Sequence, residues 1–100
     1  MRVALMARFP KRYQHLASSP PGSVNEELVS FVDFPATALN LAGLAKPDYM
    51  QGRRFLGENR DPERAYVYGC RDRVDEVFEC ARSLRSRKYL YIRNLSLIHI

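Results

Sequence analysis

The stretch that decides the fold is residues 28–44, LVSFVDFPATALNLAGL. Asp33 is a residue type that favours a helix N-cap, and Pro35 suits the first turn of a helix. Apolar residues follow at helical spacing until Gly43, a typical C-terminal stop. The stretch therefore predicts a helix of about ten residues from Asp33. Its apolar positions are expected in the core, at Leu39, Ala42 and Leu44.

The segments before this helix predict strands and a loop. Residues 2–8, RVALMAR, are a nearly continuous apolar run that is typical of a buried strand in a parallel or mixed sheet. Residues 28–32, LVSFV, predict a second short strand. Between them, residues 11–23 are polar and rich in proline and serine, which indicates a loop.

The segments after the helix predict a loop and then strands. Residues 46–63 contain Pro and Gly at several positions and indicate a loop. Residues 65–69, AYVYG, predict a strand, and residues 81–85 with 89–93 predict a hairpin around Ser86-Arg-Lys. Residues 71–79 are ambiguous, because their apolar spacing suits a helix as well as a turn that enters a strand.

Composition limits the class of protein. The chain has 100 residues, of which 46% are hydrophobic and 27% charged, so it is typical of a small globular unit and not of a disordered tail. No apolar run approaches the ~20 residues that span a bilayer, and the apolar run near the start is too short for the core of a signal peptide. Neither a membrane nor a targeting signal is expected.

The positive charge is concentrated in the second half of the chain. The formal net charge is +5, with +1 in residues 1–50 and +4 in residues 51–100, where ten of eleven cations are Arg. Arginine forks suit phosphate, sulfate or carboxylate partners. The alternative is a solvated surface with local ion pairs.

The two cysteines indicate neither a disulfide scaffold nor a zinc site. Cys70 and Cys80 are too few for the first, and their spacing matches no zinc pattern. Two free thiols are expected, with a cross-strand disulfide as the alternative.

Three segments together resemble the sulfatase family, and in particular bacterial-type sulfatases similar to heparan N-sulfatases and arylsulfatases. Their order and spacing match the family over residues 1–94. Departures such as Ala4, where the family usually has Pro, concern backbone geometry. The segments are MRVALMARFP (1–10), LVSFVDFPATALNLAGL (28–44) followed by QGR (51–53), and GCRDRVDE (69–76) followed by ARSLR (81–85) and KYLYIRN (88–94).

The resemblance implies a partial alkaline-phosphatase-like α/β fold, made of a sheet strand, a packed helix and a C-terminal β-hairpin. Residues 1–94 would be a fragment from the later part of the catalytic domain and the start of its C-terminal subdomain. Residues 95–100, LSLIHI, are expected to be a non-native tail. Members of the family are commonly periplasmic, secreted or lysosomal, but this chain carries no targeting evidence of its own.

The resemblance also implies that the catalytic parts lie elsewhere. In the family, a Cys or Ser within (C/S)xPSR becomes formylglycine, and a calcium ion is held by Asp and Asn. Cys70 is followed by RDR and Cys80 by ARS, so neither matches. Calcium and formylglycine are expected in a longer parent enzyme, while no catalytic residue or metal ligand is expected here, and the fragment alone is predicted to be inactive.

One candidate site remains inside the chain. Residues 71–76, RDRVDE, alternate Arg and carboxylate, which can orient Arg forks for an anionic group. Arg71, Arg73, Asp75 and Glu76 are therefore predicted as substrate-binding residues that border the pocket of the full enzyme. Arg71 or Arg73 would contact a sulfated or carboxylated sugar. The alternative is an internal salt-bridge cluster that fixes the hairpin.

Two other functions compete with the sulfatase interpretation. A small basic nucleic-acid-binding module would suit the net charge and the interleaved Arg and Tyr residues. No binding motif is present, however, and the Arg residues alternate with acids, so no nucleic-acid partner is expected. A non-catalytic interaction or relic domain is compatible with sulfatase ancestry. The expected partners are a sulfated carbohydrate and the remainder of the sulfatase domain.

Overall fold

A computed structural model of the chain describes residues 4–74 and 77–95. The chain divides into two compact units, residues 1–25 with 30–62 and residues 26–29 with 63–100. No helix in the part that the structure describes is long and apolar enough to cross a membrane. The elements are a 3₁₀ helix Lys11–Leu16, the helix α1 Asp33–Leu41, and the strands β1 Val67–Val74, β2 Val77–Arg85 and β3 Leu90–Asn94.

Helix α1 confirms the predicted helix and its glycine stop. Gly43 adopts φ +76°, a left-handed conformation that glycine takes without steric cost. The Leu44 amide then donates to the Leu39 carbonyl at 2.9 Å, and the Gly43 amide donates to the Asn40 carbonyl at 3.1 Å. These two bonds form a Schellman motif, which satisfies carbonyls at the end of the helix.

The polar side chains of α1, not its leucines, hold the following loop. Asp33, Thr37 and Asn40 are spaced by four and three residues, so they share one helix face, and all three are buried. The Thr37 hydroxyl accepts from the Phe55 amide at 3.2 Å. The Asn40 amide donates to the Leu56 carbonyl at 2.7 Å. This face therefore fixes residues 53–56 along the helix.

Asp33 does not cap the helix as predicted. The N-cap is Val32, which makes no side-chain cap bond, and Asp33 is the first helical residue. Its carboxylate accepts instead from the Ser30 amide at 3.0 Å and from the Arg53 amide at 2.8 Å. The carboxylate oxygens that would cap the helix therefore accept from the amides of Ser30 and Arg53 instead.

The predicted core of the helix is largely wrong. Leu39 is half-buried, Ala42 is exposed, and Leu44 is 59% exposed. The buried apolar group on α1 is Ala36, which has no exposed surface. The reason is that the face formed by Asp33, Thr37 and Asn40 packs against the loop. The leucines lie on other faces of the helix and stay partly or fully exposed.

Two glycines permit the close approach of loop and helix. A Cβ on Gly52 would lie 1.9 Å from the Val32 carbonyl oxygen, and one on Gly57 would lie 2.3 Å from the Asn40 side-chain nitrogen. Gly57 also adopts φ +103°. Both contacts are shorter than a real Cβ contact, so a side chain at position 52 would move the backbone and one at position 57 would displace the Asn40 side chain.

A carboxylate clamp closes the other end of this loop. The Arg54 guanidinium donates to Asp61 through Nε at 3.0 Å and Nη2 at 2.8 Å, and the Arg54 amide donates to the same carboxylate at 2.8 Å. The Asp61 amide returns a bond to the Arg54 carbonyl at 2.9 Å. The side-chain hydrogen bond from Arg54 is the main reason that the pKa of Asp61 lies well below its ordinary value of 3.8.

The two strands predicted before the helix are wrong. Residues 4–8 form no strand and are exposed, while residues 2–3 lie outside the described part. Residues 30–34 form a turn into α1, in which the Asp33 amide donates to the Ser30 carbonyl at 2.9 Å. A strand needs a neighbour to satisfy its backbone groups, and no strand among residues 4–74 and 77–95 pairs with either segment. The "sheet strand" of the predicted fold is therefore not observed.

The predicted hairpin is confirmed within a three-stranded antiparallel sheet of order β1-β2-β3. Strands β2 and β3 pair from Arg85↔Leu90 to Ala81↔Asn94. Strand β1 begins at Val67, two residues after its predicted start, and pairs with β2. The ambiguous stretch is strand over residues 71–74 and 77–79, while residues 75–76 lie outside the description. The described chain is thus of mixed α/β class.

Replacing Gly52 by Ala is expected to lower the free energy of unfolding by at least about 2 kcal/mol, because the new methyl group overlaps backbone. Urea unfolding of the chain measures this. Gly22→Ala is the control, since Gly22 has φ +76° but open space around it. It is expected to cost about 1 kcal/mol from backbone strain alone. Equal losses in the two variants would contradict the close approach.

Asp61→Asn is expected to cost about 1–3 kcal/mol near neutral pH, because the charge-assisted bonds to Arg54 weaken. Since the folded pKa of Asp61 is depressed, its stabilisation is present above the ordinary value of 3.8 and is lost as pH falls below it. Urea unfolding at several pH values checks the sign: the gap between wild type and variant is expected to narrow below pH about 4. The exposed Asp48→Asn control is expected to show no such gap, and a gap that widens in acid would refute the assignment.

Candidate functional site

The sequence-predicted site lies on β1 and continues beyond the described residues. Arg71 and Arg73 lie on β1, which pairs with β2. Asp75 and Glu76 fall outside the residues that the structure describes. The structure therefore positions the two Arg residues of the predicted site.

Arg71 forms an ion pair across the ladder. Its Nε lies 3.2 Å from Oε2 of Glu79 on β2, and the side chains are 54% and 36% exposed. Such a pair orients the guanidinium while leaving part of it open to solvent. Because exposed pairs contribute little stability, orientation is its larger physical effect.

An irregularity in the ladder lies beside Arg71. Arg71 pairs with Ala81 and Arg73 with Phe78, so β2 has one more residue than β1 between these pairs. This is the geometry of a β-bulge, which bends a strand and redirects its side chains. The bulge occurs opposite Asp72, within the predicted site.

Asp72 connects the bulge to β2 through its carboxylate. Its Oδ1 accepts from Nη1 of Arg82 at 2.6 Å and from the Cys80 thiol at 3.7 Å. The bond to Asp72 is the main reason that the pKa of Arg82 is raised. Cys70 pairs with Arg82 in the register. One surface therefore combines an Arg-carboxylate pair with two thiols.

Both thiols are free. Cys70 is exposed and Cys80 is half-buried, which confirms the expectation of two unbridged cysteines. The sequence missed their common neighbour Arg82, because the pairing register is not readable from cysteine spacing.

Besides the arginines on β1 and β2, the structure contains a basic surface that was not predicted from the sequence. It is an open cleft of about 450 Å³ between the segment before β1 and the turn that joins β2 to β3. The sequence placed Ser86-Arg-Lys in a hairpin turn, but residues 63–65 come more than twenty positions earlier, so the cleft is a product of the tertiary structure. Its lining residues are Glu63, Arg64, Ala65, Ser86, Arg87, Lys88 and Tyr89.

The described residues do not assemble a metal centre. Across residues 4–74 and 77–95, no three His, Cys, Asp or Glu side chains are grouped so as to hold a metal ion.

Comparison with known proteins identifies two similar sulfatases. Two proteins of Formosa agariphila, each named "Ulvan-active sulfatase", are 35% identical over 94 residues and 33% identical over 107 residues. These matches cover 94% and 100% of this chain but 15% and 20% of the two relatives. The chain therefore corresponds to no more than a fifth of the length of either protein. No family model matches the chain. No solved structure matches it either.

Proposed function

We propose that this chain, which belongs to the sulfatase family, is a segment of a sulfuric ester hydrolase that acts on sulfated sugars. The observation that carries the proposal is similarity along nearly the whole chain to two sulfatases at 33–35% identity. Both relatives are named ulvan-active, which makes ulvan the first substrate to try.

The proposed parent has an alkaline-phosphatase-like fold, with residues 1–94 in the later part of its catalytic domain and the start of its C-terminal subdomain. The mixed α/β class of the described residues supports this assignment. The contact of Gly52 with the start of α1 supports it as well, because it gives a packing reason for the QGR segment that follows the helix in the family resemblance.

We propose that the catalytic groups lie in the remainder of the parent enzyme. Formylglycine and calcium would supply the nucleophile and the charge neutralisation there. The residues of this chain would contribute a rigid framework around α1 and a basic surface on the sheet. Alone, the chain is proposed to be inactive.

Within that framework, Arg71 and Arg73 are proposed to contact a sulfate or carboxylate of the sugar, with Asp75 and Glu76 completing the same loop. The partial exposure of Arg71 and its orientation by Glu79 support this role. The same ion pair also favours the competing role, an internal cluster that fixes the hairpin. The two roles differ in what happens when Glu79, and not Arg71, is removed.

The complete reading frame that contains these 100 residues is expected to encode an upstream (C/S)xPSR motif, and its purified product is expected to release sulfate from ulvan. Ion chromatography of free sulfate measures this, with the 100-residue chain as the matched inactive control. A reading frame bounded at residues 1 and 100 would instead favour the relic or interaction domain. Sulfate release by the short chain would contradict its proposed inactivity.

In the complete enzyme, Arg71→Ala is expected to raise KM about tenfold, because one charge-assisted contact with the substrate is lost. Glu79→Ala removes the ion pair that orients the guanidinium but keeps the guanidinium itself, so its KM is expected to rise about threefold, which is less than in Arg71→Ala. Arg73→Ala is expected to follow Arg71→Ala, and Arg93→Ala on β3 is the arginine control. Equal falls in melting temperature for Arg71→Ala and Glu79→Ala, with KM unchanged in both, would assign the pair to the hairpin alone.

A further inference from the structure

The cleft at the β2–β3 turn is built from a closed turn that presents its side chains outward. The Ser86 amide donates to the Tyr89 carbonyl at 2.9 Å, and the Ser86 hydroxyl accepts from the Tyr89 amide at 2.9 Å. These bonds use the polar groups of Ser86 and the backbone of Tyr89 within the turn. The side chains of Arg87 and Lys88 are left on the exposed side of the turn.

The charge of this cleft is positive. Its lining holds three cations, on Arg64, Arg87 and Lys88, and one carboxylate, on Glu63. The Arg87 guanidinium is hydrogen-bonded to Glu63, which holds its planar fork in one direction. A guanidinium that is held in this way still has N–H donors for a second anion.

An aromatic ring lies beside the cations. The Lys88 ammonium lies 5.3 Å from the centroid of the Tyr89 ring, and that ring is 68% exposed. An exposed ring provides a flat apolar face, while the neighbouring cations provide charge. A ligand that matches both is flat on one side and carries anionic groups at its edge, which describes a sulfated or carboxylated sugar ring.

We propose that the cleft formed by Glu63, Arg64 and the turn Ser86–Tyr89 binds an anionic sugar unit of a polysaccharide chain. This inference rests on the proposed function, since it assigns a second substrate contact to the same enzyme. Arg87 and Lys88 hold the sulfate or carboxylate, Glu63 orients Arg87, and Tyr89 packs against the sugar face.

The location fits an extended ligand. The cleft lies at the Val67 end of β1, and the Arg71–Arg73 surface lies towards the other end of the strand. At ~3.3 Å per residue, the distance from Val67 to Arg73 along β1 is about 20 Å. The cleft is therefore a site for a different sugar unit of the same polysaccharide chain and not part of the contact made by Arg71 and Arg73.

Isothermal titration calorimetry on the 100-residue chain tests the proposal with low-molecular-mass dextran sulfate as the probe and neutral dextran as the uncharged comparison. The double variant Arg87→Ala, Lys88→Ala is expected to weaken dextran sulfate binding at least about tenfold. The matched control is Lys11→Ala, Arg12→Ala, which lowers the net charge by the same amount on the exposed 3₁₀ helix of the other unit. It is expected to change the affinity less than about threefold.

Two single variants keep the test independent of folding. Lys88→Gln changes an exposed turn residue and is expected to weaken binding about threefold or more. Glu63→Gln removes the negative charge from the cleft but keeps a side chain of equal size, whose amide oxygen can still accept from Arg87. It is expected to tighten binding, whereas Glu58→Gln in the other unit is not. Binding that falls equally in both double variants, or a Glu63→Gln variant that binds no more tightly than wild type, would overturn the proposal.

The remaining outcomes are also decisive. Absence of dextran sulfate binding, equal binding of neutral dextran, or tighter binding of single-stranded oligo(dT) than of dextran sulfate would each overturn it. Sulfate release by the complete enzyme without any effect of the cleft variants would reject this inference and keep the proposed function. Loss of binding in the cleft variants, together with a complete reading frame that releases no sulfate, would reject the proposed function and keep the anion-binding cleft.

Discussion

The buried carboxylate of Asp33 is the interaction on which the helical unit depends. It has no exposed surface and accepts hydrogen bonds from the amides of Ser30 and Arg53, which lie on opposite sides of it in the sequence. A buried carboxyl group is tolerated only when hydrogen bonds replace the water that it has lost. The same side chain therefore sets the turn into α1 and the start of the loop that returns along it.

The other contacts of the helical unit depend on this close approach of the residue 52–56 backbone to α1. Because residue 53 is held at hydrogen-bond distance from the first turn, Gly52 must pass the Val32 carbonyl without a side chain. Thr37 and Asn40 continue the contact along α1. The apolar contribution is small, with Phe55 packing edge-on against Phe34 at 5.9 Å between ring centroids. This unit is specified by hydrogen bonds between helix side chains and loop backbone more than by apolar volume.

The sheet differs from the helical unit, because its candidate binding residues are arginines held in ion pairs. Arg71 with Glu79 and Arg82 with Asp72 are held by the β1–β2 ladder and its bulge. Arg87 with Glu63 belongs to the turn at the other end. Each pair fixes a guanidinium while leaving it partly open. Such spaced pairs suit a polymer with repeated anionic groups better than a small ligand with a single one.

The sequence by itself determined the helix over Asp33–Leu41, its stop at Gly43 and the β2–β3 hairpin, because these depend on local conformational preferences and on periodicity. It also determined the family, through motifs whose residues are contiguous. Only the tertiary structure decided that the Asp33-Thr37-Asn40 face is buried and that the segments at 4–8 and 28–32 are not strands, because burial and strand pairing depend on partners distant in sequence. The cleft that joins residues 63–65 to the turn at 86–89 was hidden for the same reason: no local pattern records which distant segment will lie beside it.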